Sequence, residues 1–277
     1  MGNEQGTPVC DWDSTPDALW PNWMADISDS KSVAELSIPG THNTMAFYGG
    51  ALVECQRWPL SQQYKAGIRF VDIRCRHIEN NLTIHHDVVY QQAVLGDVFR
   101  DTIAFLKENT GEVILMRIKE DHDETCCTRS FDETLKNKIE AYGESHFWVK
   151  NQVPTLGEAR GKIVIIQNYP CASVGINYWS LDIADDYHVP TIFHTPQKWS
   201  GVKDHLEKAR YGHRSQIFLT FASGSSGGAY PNAVADRVNP ELYYYLNGFG
   251  DQTIRWGIIV MDFPASILVH KIIQSNK

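Results

Sequence analysis

No run of this chain approaches the eighteen or so apolar residues that a membrane-spanning helix needs. Its first twenty residues carry acids and prolines where the apolar core of a signal peptide would lie, so no membrane span is expected. Met1-Gly2 opens like a myristoylation signal, but that motif wants Ser or Thr at the sixth position and the chain has Gly6, so no acyl anchor is expected either. Positive charge is scarce: 25 Lys and Arg face 33 Asp and Glu, a formal net charge of −8, with no basic cluster. Nucleic-acid binding and a polybasic membrane anchor both depend on clustered cations, and neither is expected. The six cysteines (Cys10, Cys55, Cys75, Cys126, Cys127, Cys171) show no Cys-x-x-Cys spacing, which argues against a zinc site. A Gly-x-Gly-x-x-Gly turn is missing, and Ser223–Gly228 lacks the Lys-Ser/Thr ending of a Walker loop, so no nucleotide cradle is expected.

What remains is a chain of 277 residues, 43% apolar and 11% aromatic, long enough for one large core. The even cysteine count and the Asn81-Leu82-Thr83 glycosylation sequon favour an oxidising setting. The expectation is a secreted or extracellular protein with disulfides, working as a monomer. Apolar, often β-branched runs recur at Ala34–Ile38, Phe70–Cys75, Leu82–Ile84, Glu112–Ile118, Lys162–Gln167, Ile217–Ala222 and Ile258–Phe263. Helical spacing separates several of them. Val94–Glu108 places Leu95, Val98, Phe99, Ile103 and Leu106 at intervals of three and four, Phe131–Ala141 does the same, Gly201–Ala209 reads as a helix, and Pro240–Leu246 starts one with proline in its first turn. Alternation of this kind predicts a parallel sheet, here an irregular (β/α)8-type barrel in one domain, with residues 1–27 packed on it as an extension; a doubly wound open sheet is the runner-up.

In such a barrel reactive groups collect at the carboxyl ends of the strands. His42 follows the first run, Arg74 lies near the end of the second, His86 closes the third, Lys119 follows Ile118, and Asp262 follows Met261. Two imidazoles on either side of a guanidinium supply a base, an acid and a fixed cation, the parts of a phosphoryl-transfer site.

The segments Ser37-Ile38-Pro39-Gly40-Thr41-His42-Asn43, Asp72-Ile73-Arg74-Cys75-Arg76, Ile84-His85-His86 and Ile114-Leu115-Met116-Arg117-Ile118-Lys119 follow one another in a specific order. With Leu156–Lys162, Asn239-Pro240-Glu241 and Gly257–Phe263, they resemble the bacterial-type phosphatidylinositol-specific phospholipase C, the X-domain family. The resemblance implies a distorted, incompletely closed TIM-type barrel that cleaves phosphatidylinositol, or glycosyl-phosphatidylinositol anchors, at a membrane surface. It implies His42 as the general base toward the inositol 2-hydroxyl, His86 as the general acid toward the departing diacylglycerol, and Asp262 as the carboxylate orienting His86. Arg74 is implied as the phosphate-binding cation. Asp72, two residues before it, reads as a brace for Arg74 or His42 from below. Lys119, Asp185 and Tyr187 are implied as inositol contacts.

No cofactor is expected. Calcium needs six to eight oxygen ligands, and the calcium-dependent members of the superfamily have acids where this chain has Arg74 and Lys119. Asn43 departs from the bacterial pattern, which has an aspartate paired with the arginine, so Arg74 is expected to be less neutralised here. Gln167-Asn168 stand where the family has an inositol-binding arginine, which leaves headgroup selectivity open. Phe47–Val53 reads either as a bilayer-contacting loop or as one packed on the barrel. His85 reads as structural, and Arg76 and Arg117 as salt-bridging strand residues. Two alternatives remain: a metal-dependent glycerophosphodiesterase or sphingomyelinase-D-like barrel, for which Asp72-Ile73-Arg74 lacks the Glu-x-Asp pair, and an inactive barrel that binds phosphoinositides or glycans.

Overall fold

The structure, a computed structural model, describes residues 9–11 and 13–277. Met1, Gly2 and Gly6, on which the acylation expectation rests, lie outside the described residues. The chain runs β1 (Ile38–Thr41), α1 (Leu60–Ala66), β2 (Phe70–Ile78), β3 (Asn81–His86), β4 (Val89–Val94), α2 (Leu95–Glu108), β5 (Ile114–Glu120), α3 (Phe131–Tyr142), β6 (Phe147–Trp148), α4 (Leu156–Ala159), β7 (Ile163–Asn168), β8 (Ile176–Asn177) and β9 (Asp182–Ala184). It ends with α5 (Thr195–Tyr211), β10 (Phe218–Phe221), α6 (Pro231–Asn247), β11 (Ile258–Met261) and α7 (Ser266–Gln274).

The strands join in the order β6-β7-β5-β2-β1-β11-β10-β9, and every pairing along that path is parallel. β6 and β9 do not meet, so the curled sheet is the incompletely closed barrel that was expected. Its central strands are largely apolar on both faces, as β5 shows with Ile114, Leu115, Met116 and Ile118 buried around the charged Arg117, because the core lies on one side and helices on the other.

β1 begins at Ile38 and not at Ala34: Ser32 and Glu35 form a capping box that folds Val33–Glu35 into a 3-10 turn first. Pro39 is tolerated in this inner strand because Ile38 and His42 donate to β11, at Gly257 and Met261. The missing N–H therefore faces β2, whose ladder starts one residue later at Gly40–Phe70. A Cβ on Gly40 would lie 2.9 Å from the Phe70 side chain, so the close approach of β1 and β2 requires glycine.

The helix placed at Pro240 starts instead at Pro231, the earlier proline preset for a first turn, and carries Pro240 inside it. Its Asn239 side chain donates to the Asp262 carbonyl at 2.9 Å, which ties α6 to the end of β11. At the opposite end of the barrel Arg69 and Glu112, both fully buried, pair at 2.8 Å just ahead of β2 and β5. Glu112 also accepts from the Met24 backbone, and Arg69 donates to the carbonyls of Tyr64, Ile68 and Pro21.

The expected disulfides are not formed among the described residues; Cys55 and Cys75 are singly buried thiols, and Cys126 and Cys171 are exposed. No described helix is long and apolar enough to cross a membrane.

Candidate active site

β1 and β11 run side by side with Thr41 opposite Met261, so the residue after each strand, His42 and Asp262, emerges at the same level of the barrel rim. His42 Nδ1 lies 2.8 Å from Asp262 Oδ1, and its Nε2 lies 2.9 Å from Arg74 Nη2. A guanidinium can only donate, so Nε2 accepts and the ring proton sits on Nδ1, donated to Asp262. This register corrects the expected partnership of Asp262 with His86. The carboxylate belongs to His42 because strand pairing brings those two together.

His86 arrives from another direction. β3 is antiparallel to β2, with Ile84 opposite Cys75, so the chain past Ile84 runs back toward Arg74. The imidazole reaches the rim at the end of a hairpin, not at the carboxyl end of a barrel strand. Its Nδ1 donates to the Val53 carbonyl at 2.7 Å, which leaves Nε2 for other work. Burial, then the neighbouring His42 and Arg74, hold this ring below the ordinary histidine value. His85 is buried, tilts against Tyr90 at 5.3 Å and bonds Thr83, a structural part as expected.

Arg74 does not lack a counter-charge. Asp72, two residues back on the same face of β2, lies 3.2 Å from its Nη2 and 3.1 Å from Arg117 Nη1. Burial alone would raise the Asp72 carboxyl, but Arg117, Arg74 and His42 outweigh it and hold the group well below the usual carboxylate range. Asp72 also accepts from the Asn43 backbone N–H at 3.1 Å, with Asn43 in the left-handed region at φ 40°. The Asn43 side-chain amide points to the Cys55 sulfur and is not hydrogen-bonded to the arginine, whose charge is neutralised instead by Asp72.

Lys119, at the end of β5, pairs with Asp121 at 2.6 Å, and Asp121 accepts from the Asp87 N–H just past His86. Asp185 and Tyr187 are exposed in the loop after β9. Against the effect of burial, Asp72 first and then Asp121, with a smaller contribution from Asp185, raise the Arg74 value, whereas Tyr187 is fixed through its carbonyl, bonded by the Ser225 N–H. Asn168, at the end of β7, accepts from Arg117 at 2.6 and 3.1 Å. Arg117 packs 4.2 Å over the Tyr178 ring, so a guanidinium is present one strand over. It salt-bridges Asp72 as expected, while Arg76 bonds the Asp123 carbonyl and the Thr125 hydroxyl. Sequence reasoning missed Gln56, whose amide donates to the His42 and Met261 carbonyls at 2.8 and 2.9 Å and so clamps β1 to β11 at the site. Asp121 was missed as well, although its place two residues after Lys119 was a signal.

The model of the family described as phosphatidylinositol-specific phospholipase C, X domain, matches residues 30–169, just over half of the chain. The chain belongs to this family. It is 30% identical to the 1-phosphatidylinositol phosphodiesterase of Listeria monocytogenes across 92% of this chain and 84% of that protein. It is 27% identical to the protein of the same name from Staphylococcus aureus strain Newman, covering 92% and 94%. Among solved structures it superposes on phosphatidylinositol-specific phospholipase C from Listeria monocytogenes with a TM-score of 0.84 and 28% identity, over 94% of this chain and all of that one. A structure of the Staphylococcus aureus phosphatidylinositol-specific phospholipase C gives 0.82 and 26%, over 93% and 97%. The X-domain segment carries β1, β2, β3, β5 and β7, and with them His42, Asp72, Arg74, His86 and Lys119; Asp262 lies beyond it, just after β11.

Proposed function

We propose that this X-domain protein is a phosphatidylinositol phosphodiesterase of lyase type, cleaving phosphatidylinositol to diacylglycerol and inositol 1,2-cyclic phosphate. The observation that carries the reading is the pair of contacts His42 makes, Nδ1 at 2.8 Å from Asp262 Oδ1 and Nε2 at 2.9 Å from Arg74 Nη2, which together favour the tautomer with its proton on Nδ1 and its lone pair on Nε2. In the proposed reaction the phosphate takes the Arg74 donor, Nε2 removes the 2-hydroxyl proton, and that oxygen attacks phosphorus in line. Arg74 neutralises the charge that builds on the phosphoryl oxygens, and Asp262 stabilises the imidazolium. His86, oriented by the Val53 carbonyl, gives its Nε2 proton to the departing diacylglycerol oxygen; the bound phosphate anion favours its charged form. Water then opens the cyclic ester slowly with the two histidines in exchanged roles.

The cations at Arg74 and Lys119 support chemistry without a divalent metal. Contacts from Lys119, Asp185 and Tyr187 to inositol belong to the same proposal, as does action by a secreted monomer. Tyr48, Leu52, Val88 and Tyr90 are exposed apolar side chains on the loop and hairpin that hold His86, and Gln91 ties the two segments together through the Tyr48 and Phe47 backbone. That rim supports peripheral contact with the bilayer that carries the lipid.

Incubation with phosphatidylinositol vesicles in EDTA, followed by phosphorus NMR, tests the reading. A cyclic phosphodiester resonance appearing first supports it; turnover only with calcium or magnesium, or none at all, overturns it.

A further inference from the structure

β2 extends past the active site, and its alternating side chains face two ways. Asp72 and Arg74 face the catalytic rim. His77 lies on the opposite face, fully buried, with its ring edge-on to Phe131 at 5.9 Å. Its Nε2 is held by the Thr134 hydroxyl at 2.9 Å, while Nδ1 is buried and makes no hydrogen bond. A Glu124 carboxylate oxygen lies 3.4 Å from Nδ1. Cys127 completes the group: its sulfur, a His77 ring nitrogen and a Glu124 carboxylate oxygen all lie within 4.8 Å of one another.

The geometry points to a structural transition-metal site at His77, Glu124 and Cys127, with zinc as the ion that fits. In a tetrahedral zinc site, ligand distances of about 2.0–2.3 Å set neighbouring donor atoms roughly 3.3–3.8 Å apart. The His77–Glu124 separation already matches. Imidazole, thiolate and carboxylate together select zinc over the oxygen-seeking calcium and magnesium. Thr134 on the far nitrogen is the outer partner that fixes ring orientation at such centres.

The loop that carries the other two ligands is held independently of any ion. Thr125 exchanges backbone bonds with His77 and Glu79 at 2.9 Å each, and Asn80 accepts from the Thr128 and Arg129 N–H groups. Beside the three ligands opens a cleft of about 860 Å³ whose wall includes His122 and Cys171, room for a fourth ligand from water or from one of these side chains. The thiol proton leaves to solvent when the metal binds. Cysteine spacing gave no hint of this site because its ligands come from a strand and from a loop some fifty residues later.

The test uses the full-length protein, reduced and stripped with a chelator, then titrated with cobalt(II). One equivalent should bind with a thiolate-to-cobalt charge-transfer band in the near ultraviolet, and zinc should displace it. The band should vanish in Cys127→Ser and survive in His42→Ala, which removes the only other grouping of His, Cys and acid within metal range among the described residues. Glu124→Gln, an exposed position that leaves folding intact, should weaken cobalt affinity at least by the roughly 10–100-fold that even outer partners are worth. A band that persists in Cys127→Ser, a band lost in His42→Ala, no band at all, or Cys127 found in a disulfide would each overturn the assignment.

Discussion

Asp262→Asn is the sharpest probe of the site. The aspartate is 1% exposed and its histidine partner 15%, so the imidazolium that forms during proton transfer faces a carboxylate little screened by water. Two unit charges about 4 Å apart at an effective dielectric of about 20 attract by about 4 kcal/mol. An amide removes that attraction and can also donate to Nδ1. The proton would then move to Nε2, where it blocks the base and confronts the Arg74 donor 2.9 Å away. In the serine-protease triad the same substitution lowers kcat by about 10⁴ through the same tautomer reversal. The expected outcome here is a kcat loss of about 10²–10⁴, or roughly 3–5 kcal/mol, with KM nearly unchanged.

The assay should pair natural lipid with an inositol phosphodiester that bears an activated aryl leaving group. An aryl oxide departs without a general acid, so His86→Ala should regain most of its rate on the activated ester while Asp262→Asn and His42→Ala stay slow on both. If Asp262→Asn were rescued as His86→Ala is, the carboxylate would be serving the acid and the reasoning would fail. A variant retaining more than about a tenth of kcat on natural lipid, against the range expected of a general base, would refute it equally.

Other expectations follow from the same contacts. Arg74→Lys cannot reach the phosphate while also bonding Asp72, and kcat should fall about 10²–10³-fold; a drop confined to KM would show uniform binding instead. Because burial, His42 and Arg74 lower the His86 value, and because the acid must carry its proton, kcat/KM should decline as pH rises through a point below the usual ~6.5. An alkaline limb that stays flat to well above that value contradicts the assignment. Arg69→Met strands the buried Glu112 carboxylate and should cost about 3–5 kcal/mol in urea unfolding; a loss under about 1 kcal/mol, the scale of an exposed pair, would show that water reaches the site.

The barrel and most of its rim were legible in the sequence, since β-branched runs broken by helical spacing carry their own periodicity and His42, Lys119 and Asp262 each follow such a run. Direction was not legible: nothing in Leu82–Ile84 distinguishes a barrel strand from the returning arm of a hairpin, so His86 was found without its route to the site. Partnership was hidden for a related reason. Which imidazole receives Asp262 depends on β1 lying beside β11, a neighbour relation between segments more than two hundred residues apart. Pro240 misled because proline marks both the first turn of a helix and, less often, an interior position that packing tolerates. The disulfide expectation failed because an even count of cysteines carries no geometry.

The way β1 meets β2 has a mechanical consequence. Their ladder is confined to Gly40–Phe70 and Thr41–Val71, whereas β1 follows β11 along its whole length and β2 follows β5 from Phe70 to Cys75. The rim thus consists of two plates: one bears the base and its carboxylate, the other the cation, the acid and Lys119. They are stitched at the seam by Thr44, whose hydroxyl accepts from the Asp72 N–H at 2.7 Å and whose own N–H donates to the Asp72 carbonyl. The distance between proton acceptor and phosphate cradle is accordingly a seam setting, adjustable by fully buried side chains such as Thr44 and Gln63, whose amide accepts from the Thr41 hydroxyl and donates to the Thr44 carbonyl. Turnover in this enzyme can be tuned from a joint in the sheet, leaving every reacting group unchanged.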